Sequence, residues 1–66
     1  MKATINGEVR ELQTELTFAE LLDLLGVAHS GIAVARNDQV LRRGAFADER
    51  VREGDRIEII RAVAGG

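Results

Sequence analysis

The last two residues of the chain, Gly65 and Gly66, are suited to chemistry on the main chain itself. Glycine has no Cβ, so a backbone built from it can enter a narrow active site. A terminal carboxylate, with an ordinary pKa of about 3.5, is ionised at neutral pH and is a poor electrophile. If ATP converted it to an acyl-adenylate, a sulfur nucleophile could displace AMP and leave a thiocarboxylate whose sulfur can be passed on.

The residues before these glycines are also slim. Ala62, Val63 and Ala64 carry no charge, and Val63 is the only one with a side chain larger than methyl. We therefore predict a flexible tail over residues 62–66, in which Gly66 is modified while Val63, Ala64 and Gly65 thread into a partner's active site. The alternative is a frayed end, since small residues collect at termini. At this chain's glycine content, chance places glycine at both positions about 1% of the time.

Internal residues offer little chemistry. His29 is the only histidine, it lies in a predicted loop, and the chain has no cysteine to complete a metal site. Asp48, Glu49, Glu53 and Asp55 alternate with arginines in a turn-rich stretch, which is typical of a solvated surface rather than of acid–base pairs. No glycine-rich loop opens a helix to cradle phosphate. We expect no catalytic residue, no metal and no bound cofactor, so the chain is predicted not to be an enzyme.

Length and composition argue against further classes of protein. The 66 residues predict a single domain, and a net charge of -2 with two aromatic residues argues against nucleic-acid binding. No apolar run approaches the roughly 20 residues that span a membrane. The lack of disulfides and of a signal peptide favours the cytoplasm. We expect a monomer when the chain is alone.

Residues 1–12 are predicted to form a β-hairpin, because Asn6-Gly7 is a strong turn signal. A two-residue loop would pair Ile5 with Glu8 and place Val9 on the face opposite Ile5. A three-residue loop, residues 6–8, would pair Ile5 with Val9 and keep both on the core face. We predict the three-residue loop.

Residues 17–25 are predicted to form a helix. Thr17 and Glu20 have the spacing of a capping box, and Leu16 and Leu21 that of a hydrophobic staple. Gly26 follows as the C-cap. An apolar stripe at helical spacing is formed by Phe18, Leu21, Leu22 and Leu25.

The second half of the chain is predicted to form three strands. Residues 31–36 are nearly all apolar, which predicts a strand buried on both faces in the middle of a sheet. After a turn at Asn37-Asp38, residues 39–42 form a short edge strand. Residues 43–53 are irregular, with Phe46 and Val51 in the core. After a turn at Gly54-Asp55 comes a last strand over residues 56–63, with Ile57 and Ile59 on one face and Ile60 on the other. The order β-β-α-β-β-β predicts an α+β fold, a mixed sheet with one helix, known as a β-grasp.

The sequence resembles the family of thiamine-biosynthesis sulfur carriers, part of the ubiquitin-like β-grasp superfamily, over nearly its whole length. The residues that carry the resemblance are Asn6-Gly7, Thr17, Glu20-Leu21-Leu22, Ala33-Val34-Ala35, Asn37, Val40, Arg43, Gly54-Asp55, Ile57 and Ala64-Gly65-Gly66. The resemblance implies that an E1-like enzyme consumes ATP to adenylate Gly66. A sulfur donor such as a cysteine desulfurase would then give the thiocarboxylate, and thiazole synthase would accept the sulfur.

Two positions depart from the family pattern. The family often has Trp at Phe46 and Pro at Arg42. Phe46 is a candidate for partner docking, although core packing explains it better. Ile60, on the outer face of the last strand, is a second candidate, as a docking contact for the activating enzyme.

Other functions share the same terminus. The small subunit of molybdopterin synthase would use Gly66 in the same way with another acceptor, but such proteins are usually longer. A ubiquitin-like modifier would instead be joined through Gly66 to lysines on its targets. A plain binding module would have an inert tail.

Overall fold

A computed structural model describes residues 1–12 and 15–61. Five strands and one α-helix make up these ranges: β1 (Lys2–Ile5), β2 (Glu8–Glu11), α1 (Phe18–Leu25), β3 (Ile32–Arg36), β4 (Gln39–Leu41) and β5 (Arg56–Arg61). A short 3-10 helix at Arg43–Ala45 lies between β4 and β5. The strands form one sheet in the order β2-β1-β5-β3-β4, in which β1 and β5 are parallel and the other pairs are antiparallel. The predicted α+β fold with a mixed sheet is confirmed.

The helix begins and ends where its capping residues predict. The Thr17 backbone N–H donates to Glu20 Oε1 at 2.9 Å, and the Glu20 backbone N–H donates to Thr17 Oγ1 at 3.1 Å. At the other end, Gly26 has the left-handed φ of 72° expected of a C-cap. No helix in residues 1–12 and 15–61 is long and apolar enough to cross a membrane.

The helix packs on one face of the sheet and encloses the core. Phe46 and Val51 are both buried, which confirms them as core residues of the irregular segment. Leu16 and Leu25 are partly buried at the margin. The buried apolar cluster consists of Ala3, Ile5, Leu12, Phe18, Leu21, Leu22, Val34, Phe46, Val51 and Ile57.

The first hairpin has a two-residue loop, so the predicted three-residue loop is wrong. Ile5 pairs with Glu8 and Thr4 with Val9. Asn6 and Gly7 have φ of 51° and 82°, and two successive left-handed residues give the turn whose twist matches that of the strands. Val9 consequently lies on the face away from the helix, with 67% of its surface exposed.

The prediction that β3 is the middle strand of the sheet and is buried on both faces is wrong. The middle position belongs to β5, and β3 lies between β5 and the edge strand β4. Since α1 covers only one face, Val34 is buried while its neighbour Ala33 is exposed. The apolar run arises because small alanines occupy the uncovered face.

The turn at Asn37-Asp38, the short edge strand and the faces of the last strand are confirmed, while the segment predicted to be irregular contains the 3-10 helix Arg43–Ala45. A turn with positive φ at Asn37 and Asp38 leads into β4, which is an edge strand that ends at Leu41. In β5, Ile57 and Ile59 face the helix, and Ile60 is on the opposite face. The predicted last strand ran to residue 63; residues 62 and 63 lie outside the described residues.

Candidate functional site: the end of the central strand

The predicted tail, with Val63, Ala64, Gly65 and Gly66, lies outside the described residues. The structure does show where the chain enters it. Strand β5 ends at Arg61, which pairs with Ile32 of β3. Five residues of extended chain reach at most about 18 Å. Any enzyme that acts on Gly66 must therefore approach this end of the sheet.

The turn of the first hairpin lies beside this end of β5. Strand β1 pairs with β5 at Thr4–Arg56 and Ile5–Ile57, and the Asn6 N–H donates to the Ile57 carbonyl at 2.9 Å. Beyond that point the Asn6 side chain, rather than the main chain of β1, forms the hydrogen bonds with β5. The Ile59 N–H donates to Asn6 Oδ1 at 2.8 Å, and Asn6 Nδ2 donates to the Ile59 carbonyl at 3.3 Å.

A second asparagine holds the start of β5. Asn37 also has positive φ, 49°, and its Oδ1 accepts a 2.8 Å hydrogen bond from the Arg56 N–H. Its main-chain N–H donates to the Arg56 carbonyl at 2.8 Å. The sequence pattern predicts turns at both asparagines but does not predict these contacts. Their amides bind β5 because the turns bring them to its two ends, which local sequence does not reveal.

Asp55 is buried, so its predicted place on a solvated surface is wrong. Only 6% of the residue is exposed. Its carboxylate accepts hydrogen bonds from Arg36 Nε at 3.1 Å, Asn37 Nδ2 at 3.2 Å and the Arg52 N–H at 2.8 Å. A buried carboxylate is stable only with such partners. The group holds the turn before β5 to β3.

Glu49 is also paired rather than fully solvated. Arg36 Nη1 donates to Glu49 Oε1 at 2.9 Å, and the guanidinium carbon lies 4.9 Å from the centre of the Phe18 ring. Asp48 and Glu53 are exposed, as predicted. Glu49 and Asp55 bind the connection between β4 and β5 to Arg36, and nothing in the arrangement of these two carboxylates indicates acid–base chemistry.

The remaining candidate for chemistry, His29, contacts a single carboxylate. Its Nε2 lies 2.7 Å from Asp23 Oδ1, and both side chains are substantially exposed. Within residues 1–12 and 15–61, no three His, Asp or Glu side chains are arranged to hold a metal ion. The surface pair is consistent with a loop histidine.

The two candidate docking residues have different surroundings. Phe46 is 4% exposed and belongs to the core, so it has almost no surface to present to a partner. Ile60 is 58% exposed and pairs with Ala33, and Ala35 pairs with Val40 on the same face. We call this face of the sheet, which α1 does not cover, the open face.

A shallow cleft of about 410 Å³ lies on the other side of the same strand end. Leu25, Val27 and Ile59 contribute its apolar part. Charged residues at its border include Glu8, Arg10 and Arg61. The cleft forms between the hairpin turn, the end of α1 and β5, which are far apart in the sequence, so local sequence patterns do not predict it.

The amino-acid sequence is similar to one protein family and to several proteins of known name. A model described as "ThiS family" matches residues 3–66. A thiazole synthase from Paramagnetospirillum magneticum is 38% identical over 66 residues, all of this chain, which spans only 20% of that protein's length. The sulfur carrier protein ThiS of Thermus thermophilus is 34% identical over 62 residues, covering 94% of this chain and 95% of the relative.

The fold comparison agrees. The crystal structure of the thiamine biosynthesis protein ThiS from Geobacter metallireducens superposes with a TM-score of 0.86 and 35% identity, covering all of both chains. The family match and the Thermus thermophilus relative each extend over nearly the whole chain, which confirms the resemblance noted from its residues. The chain belongs to the ThiS family.

Proposed function

We propose that this chain is a sulfur carrier of thiamine biosynthesis that acts in the cytoplasm, with the Gly66 carboxylate as its working group. One observation supports this most directly. In a chain of the ThiS family, the central strand of the sheet ends at Arg61 and leads, after three small uncharged residues, to Gly65-Gly66.

The chemistry requires two displacements. A carboxylate oxygen of Gly66 attacks the α-phosphorus of ATP, and pyrophosphate leaves with the electrons of the broken P–O bond. A sulfur nucleophile then attacks the carbonyl carbon, and AMP leaves. Sulfide would give the thiocarboxylate directly. The persulfide of a desulfurase would give an acyl disulfide, and a partner's thiol would attack the donor's sulfur, form a disulfide with it and release the thiocarboxylate. The chain has no cysteine, and its described residues offer no metal site, so an E1-like adenylating enzyme would supply the ATP site and a donor such as a cysteine desulfurase the sulfur. Gly65, Ala64 and Val63 would thread the partner's channel.

The acceptor we propose is thiazole synthase. The relative from Paramagnetospirillum magneticum carries that name, and a segment similar to this chain forms a fifth of its length. Domains that are joined in one protein commonly serve the same reaction. This supports a thiazole acceptor over the molybdopterin acceptor that Gly66 chemistry alone would also permit.

The open face is the surface we propose for docking of the activating enzyme. Ile60 is one residue before Arg61, at the end of the described part of β5, and its side chain is exposed. An enzyme that binds the tail must lie against this end of the sheet, where burying Ile60 would be favourable.

A genetic test separates the carrier from an inert-tailed binding module. A strain that lacks its own sulfur carrier and requires thiazole is supplied with the full chain or with the chain lacking Gly65-Gly66. We expect growth only with the full chain, at equal levels of folded protein. Equal rescue by both chains would contradict the proposal, and lysine-linked adducts through Gly66 would indicate a modifier instead.

A further inference from the structure

We propose that Asn6 is a positioning residue for the reaction at Gly66: its side-chain amide fixes the end of β5 and so sets the direction in which the tail leaves the fold. The inference rests on the function proposed above. Asn6 lies in the turn of the first hairpin, 53 positions before Ile59, the residue of β5 that its side chain binds.

The geometry at Ile59 makes the amide necessary. The main chain of β1 pairs with β5 only as far as the Ile57 carbonyl, because the chain turns away at Asn6-Gly7. Without Asn6, the Ile59 N–H and carbonyl would face this side with no strand partner. The Asn6 amide carries one acceptor and one donor group in the spacing of a peptide bond, and it satisfies both, at 2.8 and 3.3 Å.

This contact lies close to the start of the tail. Ile59 is two residues before Arg61, the last described residue, and β3 holds β5 from the other side through the Ile32–Arg61 pair. The Asn6 amide completes the restraint on the hairpin side. If it is lost, the end of β5 is held from one side only, so the point from which the tail starts can shift relative to a partner docked on the sheet. Small misplacements of a reacting group reduce rates strongly.

Asn37 provides a matched control within the same strand. It is also an asparagine in a tight turn, with φ of 49° against 51° for Asn6, and its amide also accepts from a β5 backbone N–H at 2.8 Å. The two differ in position and in the acceptor of Nδ2, which is the Asp55 carboxylate for Asn37 and the Ile59 carbonyl for Asn6. Asn37 binds Arg56, at the start of the strand, whereas Asn6 binds Ile59, near the tail.

The test compares Asn6→Gly with Asn37→Gly. Glycine accepts positive φ, so both turns persist and only the amide contacts are removed. The urea midpoint, hydrogen exchange at the Ile59 N–H, and kcat and KM for Gly66 adenylation by an E1-like enzyme with ATP are measured under conditions where both variants are folded. We expect both midpoints to fall. Only Asn6→Gly should speed exchange at Ile59 and lower kcat/KM, on the order of tenfold below Asn37→Gly.

Equal kcat/KM for the two variants at equal folded fraction, or unchanged exchange at Ile59 in Asn6→Gly, would overturn the positioning role. Asn6→Asp is a second variant, in case Asn6→Gly is unstable. It keeps an acceptor for the Ile59 N–H but places a carboxylate oxygen opposite the Ile59 carbonyl. Its kcat/KM should therefore also fall below that of Asn37→Gly, and a kcat/KM equal to that of the wild-type chain would contradict the inference. A wild-type chain that is never adenylated at Gly66 would be a different result: it would overturn the proposed function and the positioning role with it.

Discussion

The side chains of Arg36 and Asp55 meet beneath the connection between β4 and β5, where Arg36 Nε donates to Asp55 Oδ2 at 3.1 Å. Only 18% of the Arg36 side chain and 8% of the Asp55 side chain are exposed. Each hydrogen-bond partner of the Asp55 carboxylate is a donor: the Arg36 guanidinium, the Asn37 amide and the Arg52 N–H. The carboxylate therefore fixes the turn from which β5 starts.

Asp55→Asn should destabilise the fold by about 2–3 kcal/mol, because an amide would direct its own donors toward the donors that surround Asp55. Urea unfolding measures the loss. Asp38→Asn makes the same change in an exposed ion pair with Arg56 and should cost less than about 1 kcal/mol. Equal losses for the two variants would contradict a buried structural role for Asp55.

The hairpin register predicts different costs for two valine truncations. Val34 is buried in the core, and Val9 is exposed opposite Thr4. Val34→Ala should cost about 2 kcal/mol of unfolding free energy, whereas Val9→Ala should change it by less than about 0.5 kcal/mol. A large loss for Val9→Ala would favour the three-residue loop, which would place this valine in the core.

Local sequence patterns were sufficient to predict those elements that are determined by residues a few positions apart. Thr17 and Glu20 form the predicted capping box, and Gly26 the predicted C-cap. The alternation of Ile57, Ile59 and Ile60 gave their faces, and the order of elements gave the fold. These features depend on short-range hydrogen bonds and on side-chain periodicity, which the sequence displays directly.

Features that depend on distant contacts could not be predicted in the same way. Val9 is apolar and suited either hairpin register, and the two-residue turn at Asn6-Gly7 leaves it exposed. Alanine occurs both in cores and on surfaces, so Ala33 does not indicate that one face of β3 is uncovered. The burial of Asp55 and the binding of Asn6 to Ile59 depend on segments brought together by the sheet. The chemistry at Gly65-Gly66 stays a prediction from residue types, because residues 62–66 lie outside the described residues.

The capping carboxylate predicts a pH dependence of stability. The hydrogen bond from the Thr17 backbone N–H, followed by that from the Thr17 hydroxyl, lowers the pKa of Glu20 below its ordinary value of 4.5. Its ionised form therefore stabilises the fold at pH above 4.5, and this contribution is lost as the pH falls through the lowered pKa. The difference in unfolding free energy between wild type and Glu20→Gln should be present at pH 7 and shrink toward pH 3. A difference independent of pH would contradict this account.

Docking through the open face predicts a selective loss of partner binding. Ile60→Lys should raise KM for adenylation by an E1-like enzyme by about tenfold, with little change in the urea midpoint, because Ile60 is exposed at the tail end of β5. Val9→Lys places the same charge on the same face, two strands away, and should leave KM unchanged. Unchanged kinetics for Ile60→Lys would remove the open face from the proposed interface.

The central claim is that Gly66 carries the sulfur, and intact-mass analysis after incubation with ATP, a sulfur source and an E1-like enzyme tests it most directly. We expect one oxygen to be replaced by one sulfur. Oxidation of Met1, the only methionine, adds nearly the same mass, so the change must be mapped to the C-terminal fragment. A shift in that fragment, absent when Gly66 is deleted, is the predicted result. A C-terminal fragment that stays unmodified while the enzyme activates a known ThiS protein would contradict the account.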